Sequence, residues 1–373
     1  MLSVTSCSWR RWADIAPTWR ALAAASAASF FLSDAWVASW LDAFGEQLEP
    51  RVLLFNDGDA VVGACLLVRT LAWRKVLPMR RWHLNCAGES ELDDTAIEYN
   101  RLLSAPDRER DVQQALSEWL TRSRWDELMF DAVDGLPVTV ESGAQTEVVE
   151  RPCYFVNLGV LRDQGSPYDA LLSPNTRQQV RRSLRVYQDT TGPLTITQPH
   201  TLEAATAFLE ELADLHQRSW TDRGKPGVFA SHRFQRFHAR LLSRVFTSGS
   251  IQLLRVTSGS TTIGMLYSFL HDGCILFYQS GFAYQPDNRV KPGLVSHYLA
   301  VSHYLTTRGD VREYDFLAGD AQYKRSLAKE HRTLRWFAVQ RPTLRARALW
   351  ALRARRRARS TGVASSALHS ADA

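Results

Sequence analysis

The sequence predicts a mixed α/β (α+β) protein in two successive halves, each a mixed, mainly antiparallel sheet flanked by helices. Three observations carry this. An order of helix, hairpin, strand, helix and strand reads twice, from about Ser33 to Ala132 and again from about Leu202 to Leu317. A glycine marks the same place in each hairpin, in Val61-Val62-Gly63-Ala64 and in Thr262-Ile263-Gly264-Met265. The 373 residues, 45% hydrophobic and 23% charged, are enough for two cores of ordinary size. The expected units are 1–160, 161–340 and a basic tail, 341–373.

In the first half, residues 1–30 read as a lead-in with one helix, Pro17 to Ala28. Arg10, Arg11 and the alanine-rich run from Ala21 imitate a secretion leader. Asp14 and Pro17 interrupt that pattern, and a folded helix is expected instead. Ser33 caps a helix whose Trp36, Trp40 and Phe44, four residues apart, make a buried stripe; Gly45 is expected to end it. Arg51 to Phe55 and Ala60 to Thr70 are strands joined by Asn56-Asp57-Gly58-Asp59, a hairpin turn by composition. Trp82 to Cys86 is a short strand, Ala87 to Ile97 a polar loop, and Tyr99 to Leu103 the next strand. Asp111 to Arg122 is a helix with Val112, Leu116, Trp119 and Leu120 on one face, and Glu127 to Ala132 a strand. Thr146 to Leu158 crosses to the second half.

In the second half, Pro167 to Gln188 is helical, with Ser173 as a cap. It carries Arg177, Arg181, Arg182 and Arg185, while Val180, Leu184 and Tyr187 face inward. Those arginines are either a solvated basic face or a contact to phosphate. Leu202 to Trp220 is a helix ending in His216 and Trp220, four apart. Thr221 to Gly227 is a loop able to close over a ligand. Ser231 caps a helix to Phe246, and strands follow at Ile251 to Val256, Thr262 to Leu270 and Cys274 to Ser280. A polar turn, Gln285 to Pro292, leads into a helix from Gly293 to about Arg308. The strands Glu313 to Leu317 and Thr333 to Val339 complete the half.

Net charge is +6, but the surplus is local: Arg341 to Arg359 holds eight arginines and no acid. The remainder is close to neutral, so nucleic acid is not an expected partner. The tail can form a basic amphipathic helix through Leu344, Leu349, Trp350 and Leu352. It is open to peripheral contact with an anionic membrane, a solvated helix being the plainer reading. Disorder is expected past Gly362. Cys7, Cys65, Cys86, Cys153 and Cys274 are scattered and form no C-x-x-C pair, which fits a reducing cytoplasm and no metal framework. His297 and His303, six apart on one helix, do not make a metal pair.

The stretch from Gly281 to Lys324 organises the chain. A strand, a basic turn, a glycine at a helix start and a second strand can hold an anion on unpaired backbone N–H groups, with Arg289 and Lys291 alongside. Taken singly, the same features describe an ordinary crossover. Together, Tyr278-Gln279-Ser280-Gly281, Arg289-Val290-Lys291-Pro292-Gly293-Leu294, Tyr314-Asp315-Phe316-Leu317-Ala318-Gly319-Asp320 and Tyr323-Lys324 resemble the ordered landmarks of the GNAT-like acyltransferases. The resemblance is to the CelD-type branch of bacterial polysaccharide operons, with the FemAB aminoacyltransferases as relatives. It covers about Phe31 to Gln340 and departs from the usual GNAT phosphate motif by one extra residue and a proline.

The resemblance implies tandem GNAT-like domains and a cytoplasmic N-acyltransferase taking acyl-CoA, acetyl or longer, as co-substrate without a metal. The acceptor implied is an amine on an amino sugar or cell-envelope precursor. Arg289, Lys291, Gly293 and Leu294 would hold the carrier. Asp315 would accept the amine proton or merely cap its turn. Lys324 would stabilise the oxyanion, and Tyr323 would protonate the thiolate or simply pack. Tyr278, Gln279, Tyr284, Arg181 and Trp220 would contact the acceptor. Two rivals stand beside this reading. One is a FemAB-like transferase using aminoacyl-tRNA, which the lack of a long heptad arm disfavours. The other is a non-catalytic scaffold.

Overall fold

The computed structural model describes residues 2–74, 77–88, 95–347 and 350. The first half comprises β1 (Ser3–Ser8), α1 (Trp12–Ala25), α2 (Asp34–Leu48), β2 (Arg51–Asp57), β3 (Ala60–Arg74), β4 (Leu77–Leu84), β5 (Leu103–Ser104), α3 (Glu109–Thr121) and β6 (Glu127–Val133). Then come β7 (Gln145–Asn157), α4 (Leu158–Asp163), α5 (Pro174–Thr190) and β8 (Leu194–Thr197). The second half continues with α6 (Leu202–Thr221), α7 (His232–Val245), β9 (Ile251–Ser258), β10 (Thr261–His271) and β11 (Cys274–Phe282). It ends with α8 (Pro292–Thr307), β12 (Glu313–Ala318), α9 (Gln322–Leu327) and β13 (Glu330–Gln340).

The strands join in one sheet, ordered β1-β2-β3-β4-β6-β13-β7-β12-β11-β10-β9-β8, with β5 beside β3. The predicted duplication is plain in it. Each half is an antiparallel array with one parallel pair, β4 with β6 and β11 with β12, bridged by a helix, α3 or α8. The glycines that marked the repeat do the same work twice. A Cβ on Gly63 would sit 2.6 Å from Val112 of α3, and one on Gly264 would sit 2.2 Å from Ser296 of α8. Each glycine lets the crossover helix lie against its hairpin. The last strands are exchanged: β7 follows β6 in sequence yet pairs with β12, and β13 follows β12 yet pairs with β6. The two exchanged strands pair with each other from Glu330↔Phe155 to Gln340↔Gln145.

The main core is shared by both halves. Trp36, Trp40 and Phe44 are buried as expected, and α2 packs on α7 with the Trp36 and Phe237 rings 4.7 Å apart. Phe30 stacks on Phe269 at 4.4 Å.

Three local expectations are corrected. Residues 1–30 are no mere lead-in: β1 forms the sheet edge, and α1 starts at Trp12 with Pro17 inside it. Burial of Trp19 and Leu22 outweighs the helix bond that proline forfeits. Gly45 does not end α2, which runs to Leu48 and stops at Glu49 in the left-handed region, φ 42°. Gly45 is kept because the Trp9 ring lies 3.0 Å from where its Cβ would be. The strand expected at Tyr99 to Leu103 shrinks to a bridge at Asn100 and the two-residue β5, because Asn100 is spent on closing a gap described below. Most of the amphipathic tail, and everything past Gly362, lies outside the described residues. Among those described, no helix is long and apolar enough to cross a membrane.

Candidate active site

Parallel strands β11 and β12 pair only at Cys274↔Glu313, Ile275↔Tyr314 and Leu276↔Asp315, and then part. A bulge parts them. The β12–β7 register shifts between Asp315 and Ala318, and Leu317 takes φ 60°, so β12 bends away from β11. The Asp315 carboxylate fixes the bend by accepting from the Leu317 amide at 2.6 Å. A cleft of about 600 Å³ fills the opening, in the crevice at the carboxyl ends of the parallel pair.

At one end of the cleft lies the start of α8. No side chain caps it and no acid occupies its first turn, so the amides of Gly293 and Leu294 and the helix dipole offer an anion site. Gly293 sits against Phe282, whose ring a Cβ would approach to 3.2 Å. Lys291 lines the cleft while its Nζ donates to Gln179 at 2.6 Å, and its amide donates to the Ser183 hydroxyl at 2.9 Å.

At the other end, Lys324 is 7% exposed and donates to the carbonyls of Leu317 (2.9 Å) and Ala318 (2.8 Å) at the bend. Beside it is Glu98, supplied by the first half and 8% exposed, whose carboxylate accepts from the Ala318 amide at 2.7 Å. Burial pushes Glu98 up to about 8; the Ala318 bond opposes this, Asp315 adds to it and Lys324 offsets it. Burial lowers the Lys324 ammonium, against the pull of Glu98. Tyr323 stacks on His297, with the rings 5.2 Å apart and 16° from parallel. Burial, with Lys324 adding, pushes His297 down to about 3, so it is a neutral imidazole. On the wall, His216 donates from Nδ1 to the Ser280 carbonyl at 3.0 Å. Its Nε2 is therefore a buried lone pair with no partner. Burial lowers this histidine too. Trp220, Tyr284 and Arg223 form the lip, with Arg223 over both rings at 5.9 and 5.2 Å.

Lys291, Gly293, Leu294, Tyr278, Gln279, Tyr284, Trp220, Tyr323 and Lys324 are thus brought to one cleft. Tyr278 contributes little there: its ring is packed among Phe31, Trp36 and Phe269, and its hydroxyl accepts from the Ala96 amide at 3.2 Å. Three residues are not brought in. Asp315 lies on the opposite sheet face, since alternate strand residues point opposite ways. There it lines a separate cavity of about 450 Å³ and accepts from the Tyr99 hydroxyl. Burial raises it to about 6 despite Tyr99 and Arg332. Cys274, Glu313 and Asp315 hold ligand-type atoms within 4.8 Å of one another there, with Arg332 already 2.6 Å from Glu313. Arg289 turns from the cleft to clasp Asp287, and Arg181 pairs with Asp169 at 3.1 Å. Both line a groove along α5.

Sequence reasoning missed Glu98, His216 and His297. Glu98 stands next to a stretch read as loop, and its partner is 220 residues away. His216 had one signal, its four-residue spacing to Trp220 at the end of α6.

The equivalent opening in the first half is filled. Strands β4 and β6 pair at Arg81↔Glu127, Trp82↔Leu128 and His83↔Met129 before parting. Asn100 then donates to the Leu84 and Asp131 carbonyls at 3.0 and 3.1 Å, and Asn85 donates to Asn100 at 2.8 Å. The crossover helix there, α3, opens with Glu109 and Asp111, which disfavour an anion.

Solved structures of similar fold include the following. FemX is 9% identical with a TM-score of 0.52, over 86% of this chain and 95% of that one. The C-terminal domain of an Agrobacterium fabrum protein assigned as a lysylphosphatidylglycerol synthetase is 10% identical with a TM-score of 0.52, over 91% and 95%. A tandem GNAT protein from the clavulanic acid biosynthesis pathway is 12% identical with a TM-score of 0.48, over 92% and 100%. No curated protein matches the sequence. Residues 174–325, from α5 into α9, match the family model of the acetyltransferase (GNAT) domain, and that segment holds the helix mouth, the diverging strands and Lys324.

Proposed function

We propose that the chain is an N-acyltransferase that moves an acyl group from acyl-CoA to an amine. One observation carries the reading: a single open cleft leads from the uncapped start of α8, between β11 and β12, to Lys324 and Glu98. The diphosphate of the carrier would lie on the Gly293 and Leu294 amides, and its pantetheine arm between the strands, bringing the thioester to Lys324. The amine nitrogen attacks the thioester carbonyl. A C–N bond forms, the C–S bond breaks, and Glu98 takes the amine proton, a role its raised pKa suits near neutral pH. Lys324 faces the developing oxyanion, and the Tyr323 hydroxyl can return a proton to the thiolate. The aromatic lip, Trp220 and Tyr284 with Arg223, suits an amino sugar or cell-envelope precursor as acceptor.

Calorimetry with CoA, acetyl-CoA and long-chain acyl-CoAs, set beside an aminoacyl-tRNA, tests the donor. Binding of an acyl-CoA that is abolished in Gly293→Asp is expected. Binding of the aminoacyl-tRNA alone would move the donor to that class, and binding of none would leave a scaffold.

A further inference from the structure

A second feature touches the cleft without belonging to it. A groove of about 680 Å³ runs along α5, lined by Arg177, Arg181, Arg182, Arg185 and Arg289, with Asp189 at its edge. The residues at 177, 181 and 185 are one helical turn apart, and Arg182 stands beside them. Arg181 and Arg289 have acidic partners, Asp169 and Asp287. Among the described residues, no acid lies within ion-pair reach of Arg177, Arg182 or Arg185. Like charges stacked at four-residue spacing destabilise a helix, and α5 has no acid in its first turn to relieve them. Helix α5 itself is tied to the cleft by two hydrogen bonds on its inward side, from the Lys291 side chain to Gln179 and from the Lys291 amide to Ser183. Arg289, in the turn two residues before Lys291, forms part of its wall.

We propose that this groove is the subsite for the phosphorylated ribose of the same donor, and that its unpaired arginines recognise the 3′-phosphate of the CoA adenosine. This rests on the acyl-CoA reading above. A carrier with its diphosphate at Gly293 would have Lys291 beside it, and Arg289, two residues earlier in the same turn, already lines the groove. Guanidinium groups suit a phosphate monoester, since they offer paired donors and a fixed charge. The patch is confined to one helix face and one turn. That is the footprint of a single nucleotide end, where even a small nucleic-acid module buries about 600–1,000 Å².

The test is calorimetry on the full chain with CoA and with 3′-dephospho-CoA, repeated on Arg182→Ala/Arg185→Ala. Far-ultraviolet circular dichroism and melting temperature establish that the variant folds. Wild type is expected to prefer CoA by about ten-fold, and the variant to lose that preference while binding dephospho-CoA as wild type does. Equal affinity of wild type for both ligands would overturn the subsite and leave the acyl-CoA reading standing, as would a variant weakened equally toward both. Failure of both ligands to bind wild type would overturn the two together. A transfer RNA bound by wild type and released by the variant would assign the groove to RNA instead.

Discussion

Lys324 and Glu98 are a buried amine and a buried carboxyl group meeting at one bend of the backbone, around Leu317 and Ala318. Replacing Lys324 by Met keeps the stem and removes the charge. Turnover should fall about 10²–10³-fold with little change in acyl-CoA affinity, read by steady-state rates beside calorimetry. Glu98 holds its proton below about pH 8, so the rate should rise with pH toward that value. In Glu98→Gln the rise should vanish from the pH–rate profile. The same residue sets a sign for stability. Its folded pKa lies above its unfolded value, so the native state binds the extra proton, and stability should fall as pH climbs from about 4.5 to about 8. Chemical denaturation across that range should show a shallower fall in Glu98→Gln. Asp315→Ala leaves the Leu317 amide and the Tyr99 hydroxyl without their acceptor, and should cost about 1–3 kcal/mol in urea melts. Strand alternation puts Asp315 and Phe316 on opposite faces. Which face holds the cleft follows from α8 and the bend at Leu317, and neither leaves a local signature. Glu98 was invisible for the same reason, since what places it at the cleft is an amide in the other half.

At the level of elements, far more was legible. Helix stripes and strand runs are local patterns, and the start of α2, together with α5, α6, α7 and the β9–β10 hairpin, falls where periodicity and caps place it. The lysine–proline–glycine turn before α8 was readable as an anion site because helix starts leave amides free whatever the tertiary context. Contacts at a distance decided the rest: the Trp9 ring leaves no room for a Cβ at Gly45, and Asn85 with Asn100 replaces a strand by a plug. The repeated glycine now has a cause that can be tested. Gly264→Ala drives a Cβ into Ser296 of α8 and should cost about 1–3 kcal/mol, seen as a lower melting temperature with weakened acyl-CoA binding. Gly63→Ala, set against Val112, should destabilise comparably and leave ligand affinity intact, because the first-half opening is closed.

Across the whole molecule, the two arrays divide the labour. One keeps its opening and its bare helix end; the other fills its opening and lends Glu98 to its neighbour. The shared aromatic core from Phe30 and Trp36 to Phe237 and Phe269 fixes that loan in place. Because β7 and β13 each complete the opposite array, neither terminal portion of the chain possesses all the strands of its own sheet. A ribosome would have to finish β13 before the first array, whose other strands are made earliest, could close, so native structure should be complete only late. Calorimetric melting should accordingly trace one endotherm, and a break introduced between β7 and α4 should yield two insoluble pieces that regain solubility only when produced together.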